Sequence, residues 1–272
     1  MLLRRPILSS LPGRAVYGLL CLLLLGGCIG DDGNSEGDVG DAPGTLTVAA
    51  AADLQFAFTE IGERFEEETG WAVTFSFGST GNLAAQIEQG APFDVYAAAN
   101  IAFVEDLMRQ DLLIAETEQR YAIGRVVLAV NRDSGVSAMT LEDLLDPEIR
   151  QVAIANPDHA PYGLAAREAL ESAGIWDELR PKIVYGENVR QTLQFIQTGN
   201  AEAGMVALSI AEVPEISYTL IDEGMHNPLE QAMVVVAGTP HEQAAREFVA
   251  FVNGPEGREI MRQYGFSLPG EQ

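Results

Sequence analysis

The sequence holds a single lysine, Lys182, and 16 basic residues in all against 40 acidic ones, a formal net charge of −24. A field of that sign disfavours nucleic acid and anionic lipid head groups as partners. It also opposes an anionic ligand at long range, so any anion site must act through short-range hydrogen bonds. There are only two cysteines, Cys21 and Cys28, and Cys21 lies in an apolar leader, which excludes an internal disulfide in a processed chain. His159, His226 and His241 are scattered and lack metal-ligand spacing. No Walker loop is present, so energy for any transport step must come from another subunit. The chain shows no internal repeat, and its apolar run over residues 16–25 is too short to span a bilayer comfortably.

What is present begins with Arg4, Arg5 and Arg14, that apolar run, and then Leu25-Gly26-Gly27-Cys28. The pattern is that of a secretory signal over residues 1–27. Its last four residues resemble a bacterial lipobox, which implies cleavage before Cys28 and lipid attachment to its sulfur. Cleavage there would remove three arginines and no acid, taking the net charge from −24 to about −27. Residues 28–44 are then a lipidated cysteine and a flexible acidic tether rich in Gly and Asp, with a mean reach of ~20 Å. The expected location is the periplasm or the outer face of the cytoplasmic membrane, with the body held to the membrane by its lipid.

Residues 45–272 alternate strand and helix patterns. Strands are expected over residues 46–51, 71–77, 93–98, 152–155, 182–185, 204–207 and 232–237, with helices over 54–69, 82–89, 102–110, 162–173 and 189–197. A short helix is expected over 140–145, and the last long helix carries Phe248, Val249 and Val252 on its apolar face. Residues 121–130 form a long apolar run suited to crossing between domains. The alternation implies α/β architecture with mostly parallel strands, and parallel sheets place ligands beyond the carboxyl ends of their strands. Four loops stand at that kind of position, each ahead of a helix: Ala52-Asp53, Gly78-Ser79-Thr80, Ala160-Pro161-Tyr162-Gly163 and Glu187-Asn188-Val189.

The most informative stretch is Phe77-Gly-Ser-Thr-Gly-Asn-Leu83, where a strand gives way to a helix N-terminus. Unpaired NH groups, the helix dipole and two hydroxyls make a cradle for a small oxyanion without any cation. Ser79 is not in a Gly-x-Ser-x-Gly elbow and the sequence places no base beside it, so hydrolase chemistry is not expected. His159 is placed either at the cleft rim or on a solvated loop. Asp94 and Glu88 read as solvated faces or caps, and Trp71 and Trp176 as core.

Six segments in this order are similar to the molybdate-binding proteins of ABC importers: Thr47-Val-Ala-Ala-Ala-Ala-Asp-Leu54, Phe77-Gly-Ser-Thr-Gly-Asn-Leu83, Gln86-Ile-Glu-Gln-Gly-Ala-Pro-Phe-Asp-Val95, Ala155-Asn-Pro-Asp-His-Ala-Pro-Tyr-Gly163, Glu187-Asn-Val-Arg-Gln191 and Tyr264-Gly-Phe266. The resemblance spans nearly the whole folded body. It implies a type II periplasmic-binding fold, two α/β domains with a ligand cleft between them, here residues 45–122 plus 232–272 and residues 123–231. It implies a monomer that binds molybdate or tungstate, has no cofactor and is not an enzyme, and delivers its ligand to a membrane permease. By position, the ligand-binding residues it implies are Ala52, Asp53, Ser79, Tyr162 and Val189, with Ala207 standing where some members have a tyrosine. The Tyr162 hydroxyl is expected to close the pocket in its place.

Recognition would rest on neutral donors, with rejection of the smaller sulfate left to cavity size. Asp53 departs from that rule, because a carboxylate beside a dianion is repelled. Either it caps the first helix with its side chain turned away and offers only its NH, or it accepts a hydrogen from a protonated, phosphate-like oxyanion. A ligand-sensing module on the same architecture is the other alternative.

Overall fold

The computed structural model describes residues 43–271. The expected signal over 1–27, the lipidated Cys28 and the tether up to residue 42 lie outside the described residues.

The first half of the body builds β1 (Thr45–Ala51), α1 (Gln55–Thr69), β2 (Ala72–Gly78), α2 (Thr80–Glu88), β3 (Val95–Ala98), α3 (Ile101–Met108) and β4 (Gln119–Gly124). The chain then runs through β5 (Val126–Asn131), β6 (Val152–Ala155), α4 (Pro161–Ser172), α5 (Trp176–Leu179), β7 (Ile183–Gly186), α6 (Val189–Gln197), β8 (Ala203–Ala207) and β9 (Ile216–Leu220). It returns with β10 (Leu229–Val235), α7 (Glu242–Asn253) and α8 (Pro255–Gln263). Two five-stranded sheets result, in the orders β2-β1-β3-β10-β4 and β7-β6-β8-β5-β9. The two orders are the same pattern, each with one strand contributed after a crossing between sheets.

Local chemistry explains the elements. β5 is apolar up to its last residue and buried at every position, and β6 and β8 are buried throughout, as strands covered by helices on both faces must be. α1 buries Ala57, Phe58, Ile61 and Phe65 on one stripe and sets Phe58 against Phe75, Tyr121 and Phe248 with ring centroids 5.8 to 6.1 Å apart. It stops at Gly70, whose φ of 79° lets its NH reach the carbonyl of Glu66. Asn188 caps α6 by accepting from the NH groups of Arg190 and Gln191.

Several expectations need correction. The strands are mostly parallel as expected, but one reversed strand in each sheet makes four of the eight pairings antiparallel. β10 and β5 run against their neighbours, because each enters its sheet from a crossing, and side-chain patterning carries no information on strand direction. β5 follows β4 across Arg125 alone, so the apolar run 121–130 is shared between the two sheets. The short helix expected over 140–145 is a 3-10 turn at Glu142–Leu145. β9, α5 and α8 lie outside the expected elements, while α7 is the expected long helix burying Phe248, Val249 and Val252, with the shorter α8 after it. Asp94 is neither solvated nor a helix cap. It is 5% exposed, accepts from the NH of Thr47 at 2.6 Å and from the Thr239 hydroxyl, and faces His241 Nδ1 at 3.3 Å.

Candidate functional site

Ala52, Asp53, Ser79, Tyr162 and Val189 all line one narrow, nearly closed cleft, together with Gly78, Thr80, Ala160, Pro161 and Asn188. Each comes from the carboxyl end of a strand: β1 and β2 on one wall, β6 and β7 on the other. Thr80 is the first residue of α2, Tyr162 the second of α4 and Val189 the first of α6. At those positions the backbone NH has no intrahelical acceptor and the helix dipole is positive. The cleft therefore offers donors from two directions and no cation. A larger groove along α1 and α8 is lined by Glu60, Glu63 and Glu67 with one arginine, Arg64, and its charge is wrong for an anion.

The two walls touch. Ser79 Oγ lies 2.8 Å from His159 Nδ1, and the NH of Gly81 donates to the carbonyl of His159 at 2.9 Å. A Cβ on Gly81 would sit 2.9 Å from that same carbonyl oxygen, so the close approach of backbone to backbone requires glycine here. Asn82 Nδ2 donates to Glu187 Oε1 at 3.3 Å. His159 is thus a cross-cleft contact of Ser79, not a solvated loop residue. Sequence reasoning found no base near Ser79 because 80 residues separate the pair. Among the described residues no carboxylate hydrogen-bonds the His159 ring to complete a triad.

Asp53 does not meet the first expectation for its side chain, that of a helix cap turned away from the cleft. The turn at Ala52–Leu54 and α1 have no side-chain cap. The carboxylate instead faces inward, 1% exposed, and its Oδ2 accepts from Gln231 Nε2 at 2.7 Å and from the Tyr162 hydroxyl at 3.0 Å. The Tyr162 hydroxyl expected to close the pocket is thus committed to Asp53. Behind it, Tyr121 donates to Gln231 Oε1 at 2.9 Å, and Ser209 donates to the main-chain carbonyl of Asp53 at 2.8 Å. Oδ1 is buried with no partner. Burial pushes the Asp53 carboxyl up to about 6, against the opposing pull of the Gln231 and Tyr162 hydrogen bonds. Burial, with Asp53 adding to it, pushes the Tyr162 and Tyr121 phenols well up.

Comparison with known proteins places this geometry. A family model described as bacterial extracellular solute-binding protein matches residues 46–267. The chain belongs to this family. As a solute-binding protein it is a transport component and not an enzyme, so the Ser79 and His159 pair is a contact between walls. It is 34% identical over 226 residues to the molybdate-binding protein of Rhodobacter capsulatus, covering 83% of this chain and 89% of that one. It is 30% identical to a putative ABC transporter substrate-binding lipoprotein of Bacillus subtilis, covering 93% and 96%. The solved structure of the Azotobacter vinelandii periplasmic molybdate-binding protein superposes with a TM-score of 0.78 at 31% identity, covering 82% of this chain and 99% of that one. This solute-binding protein has the two-domain type II periplasmic-binding fold. Gln231, which holds Asp53, and Tyr121, which holds Gln231, are the site residues that sequence reasoning missed. The available signal was an amide directly ahead of the apolar run Ala232-Met-Val-Val-Val236.

Proposed function

We propose that this protein is the extracytoplasmic receptor of an ABC importer, anchored by lipid at Cys28, and that it captures molybdate or tungstate as a monomer. Residues 45–122 plus 232–272 and residues 123–231 are the two domains that close on the ligand. The NH groups of Ala52, Asp53, Tyr162 and Val189 and the Ser79 hydroxyl are the donors. The observation that carries this reading is the convergence of these donors, from both sheets, on one small cleft lined by no cation. The cleft is too narrow for a sugar or peptide. Each hydrogen bond to a charged acceptor is worth about 1.5 to 3 kcal/mol, so four or five donors suffice for tight capture against an unfavourable long-range field. Relatives described as molybdate-binding proteins support the ligand assignment.

Calorimetric titration with molybdate, tungstate, sulfate and phosphate at neutral pH tests the reading. One-to-one binding of the first two, with none of the others, is the expected result. The unpartnered acceptor Asp53 Oδ1 favours a second reading, an oxyanion that brings its own proton. Binding of phosphate alone would select it, and binding of none of the four would refute both.

A further inference from the structure

Asp53 places a carboxylate in a cleft that otherwise presents donors. Its Oδ2 is filled by Gln231 Nε2 and the Tyr162 hydroxyl, while Oδ1 is buried beside the cleft without a partner. The groups that face it are Tyr162 from α4, Gln231 from β10, Tyr121 from β4 with Tyr96 from β3 beyond it, Ser209 from the turn after β8, and Ser79 with His159 at the cleft. Among the described residues no lysine or arginine hydrogen-bonds this carboxylate. A dianion seated here would meet a like charge at low dielectric with nothing to neutralise it.

We propose that the cleft takes up one proton together with its tetrahedral dianion, and that Asp53 Oδ1 and a ligand oxygen share that proton. The inference rests on the oxyanion reading above and adds the charge balance that reading lacks. Two donors on Oδ2 leave Oδ1 as the oxygen free to carry hydrogen. Shared, the proton turns a repulsion into a short charge-assisted O–H···O bond. Burial has already raised the Asp53 carboxyl to about 6, and an adjacent dianion pushes in the same direction. Selectivity follows from the chemistry of the ligand, because sulfate is a much weaker base than molybdate or tungstate and shares a proton poorly. Discrimination against sulfate then draws on basicity as well as size.

The test is calorimetric titration of the protein with sodium molybdate at pH 7.5 in PIPES, HEPES and Tris, whose ionisation enthalpies differ. The dependence of the observed heat on buffer gives the protons taken up. The expected value is about one for the wild type, with affinity falling up to about tenfold per pH unit between pH 6.5 and 8.5. Asp53→Asn should take up about none and bind with an affinity flat across that range. An infrared difference spectrum of the wild type, which needs no variant, should show a protonated-carboxyl stretch growing with molybdate. Molybdate binding without proton uptake overturns the inference and leaves the oxyanion reading standing; absence of molybdate binding overturns both the inference and the molybdate assignment. Uptake that persists in Asp53→Asn and vanishes in His159→Gln puts the proton on the imidazole and overturns the assignment to Asp53.

Discussion

The parallel strands of the first sheet carry a buried aspartate at each end, Asp94 just before β3 and Asp53 just past β1. They are 5% and 1% exposed, yet their surroundings differ in kind. Asp94 has both oxygens engaged, tying the backbone of β1 to the loop between β10 and α7. Asp53 has one oxygen filled twice and the other empty. A buried carboxylate with complete partners holds a fold together, whereas one left half satisfied at the ligand end of the strands is held ready for something else.

The largest expected effect falls on the structural side of that contrast. Asp94→Ala strands the Thr47 NH and the Thr239 hydroxyl and should cost about 3 kcal/mol of stability, read as a lower denaturant midpoint, while molybdate affinity stays within about twofold. Loss of ligand binding with stability intact would break the comparison. Ser79→Ala removes one hydroxyl donor and should weaken molybdate binding by roughly 10- to 100-fold, about 1.5 to 3 kcal/mol, with little change in melting temperature.

Gly124→Ala sharpens the contrast from the crossing between sheets. A Cβ there would lie 2.2 Å from the Tyr162 hydroxyl and 2.9 Å from Gln231 Nε2, so both must move off Asp53. The expected cost is about 1 to 3 kcal/mol, with a loss of affinity that Ser79→Ala does not share in mechanism. Its signature would be an altered pH profile of binding.

The smallest effect is also the most diagnostic. The folded-state value of the Asp53 carboxyl is raised from 3.8 to about 6. Its ionised form therefore destabilises the fold above about pH 6, and the penalty disappears as pH falls towards 3.8. Asp53→Asn should stabilise the unliganded protein by about 1 to 2 kcal/mol at pH 7.5 and remove this rise in stability on acidification. Thermal melts across pH 5 to 8 check both. A destabilised variant would mean that the charge itself holds Tyr162 and Gln231, making Asp53 a second Asp94.

Much of the fold was legible in the sequence because its signals are local. The strand at Val152–Ala155 and the helix at Val189–Gln197 coincide with their apolar spacing and the Asn188 cap. β9 and α8 escaped notice for an equally physical reason. Four of the five residues of β9 are not fully buried, and α8 is strongly charged and turns only Gly257, Ile260 and Met261 inward. The reversal of β5 and β10 has no local signal. At the site, the loops could be read as helix entries, and all five expected residues line one cleft. The role of the Asp53 side chain could not be read, since its partners stand 109 and 178 residues away.

The central claim is that a tetrahedral oxyanion sits among these loops. A crystal structure of the protein grown with molybdate, with the metal located by its anomalous scattering, tests it most directly. The account predicts one molybdenum atom in the cleft, its oxygens within hydrogen-bonding distance of the Ser79 hydroxyl and of the NH groups of Asp53, Tyr162 and Val189. Molybdenum found only elsewhere, with the cleft closed and the Ser79 contact to His159 unchanged, would contradict it.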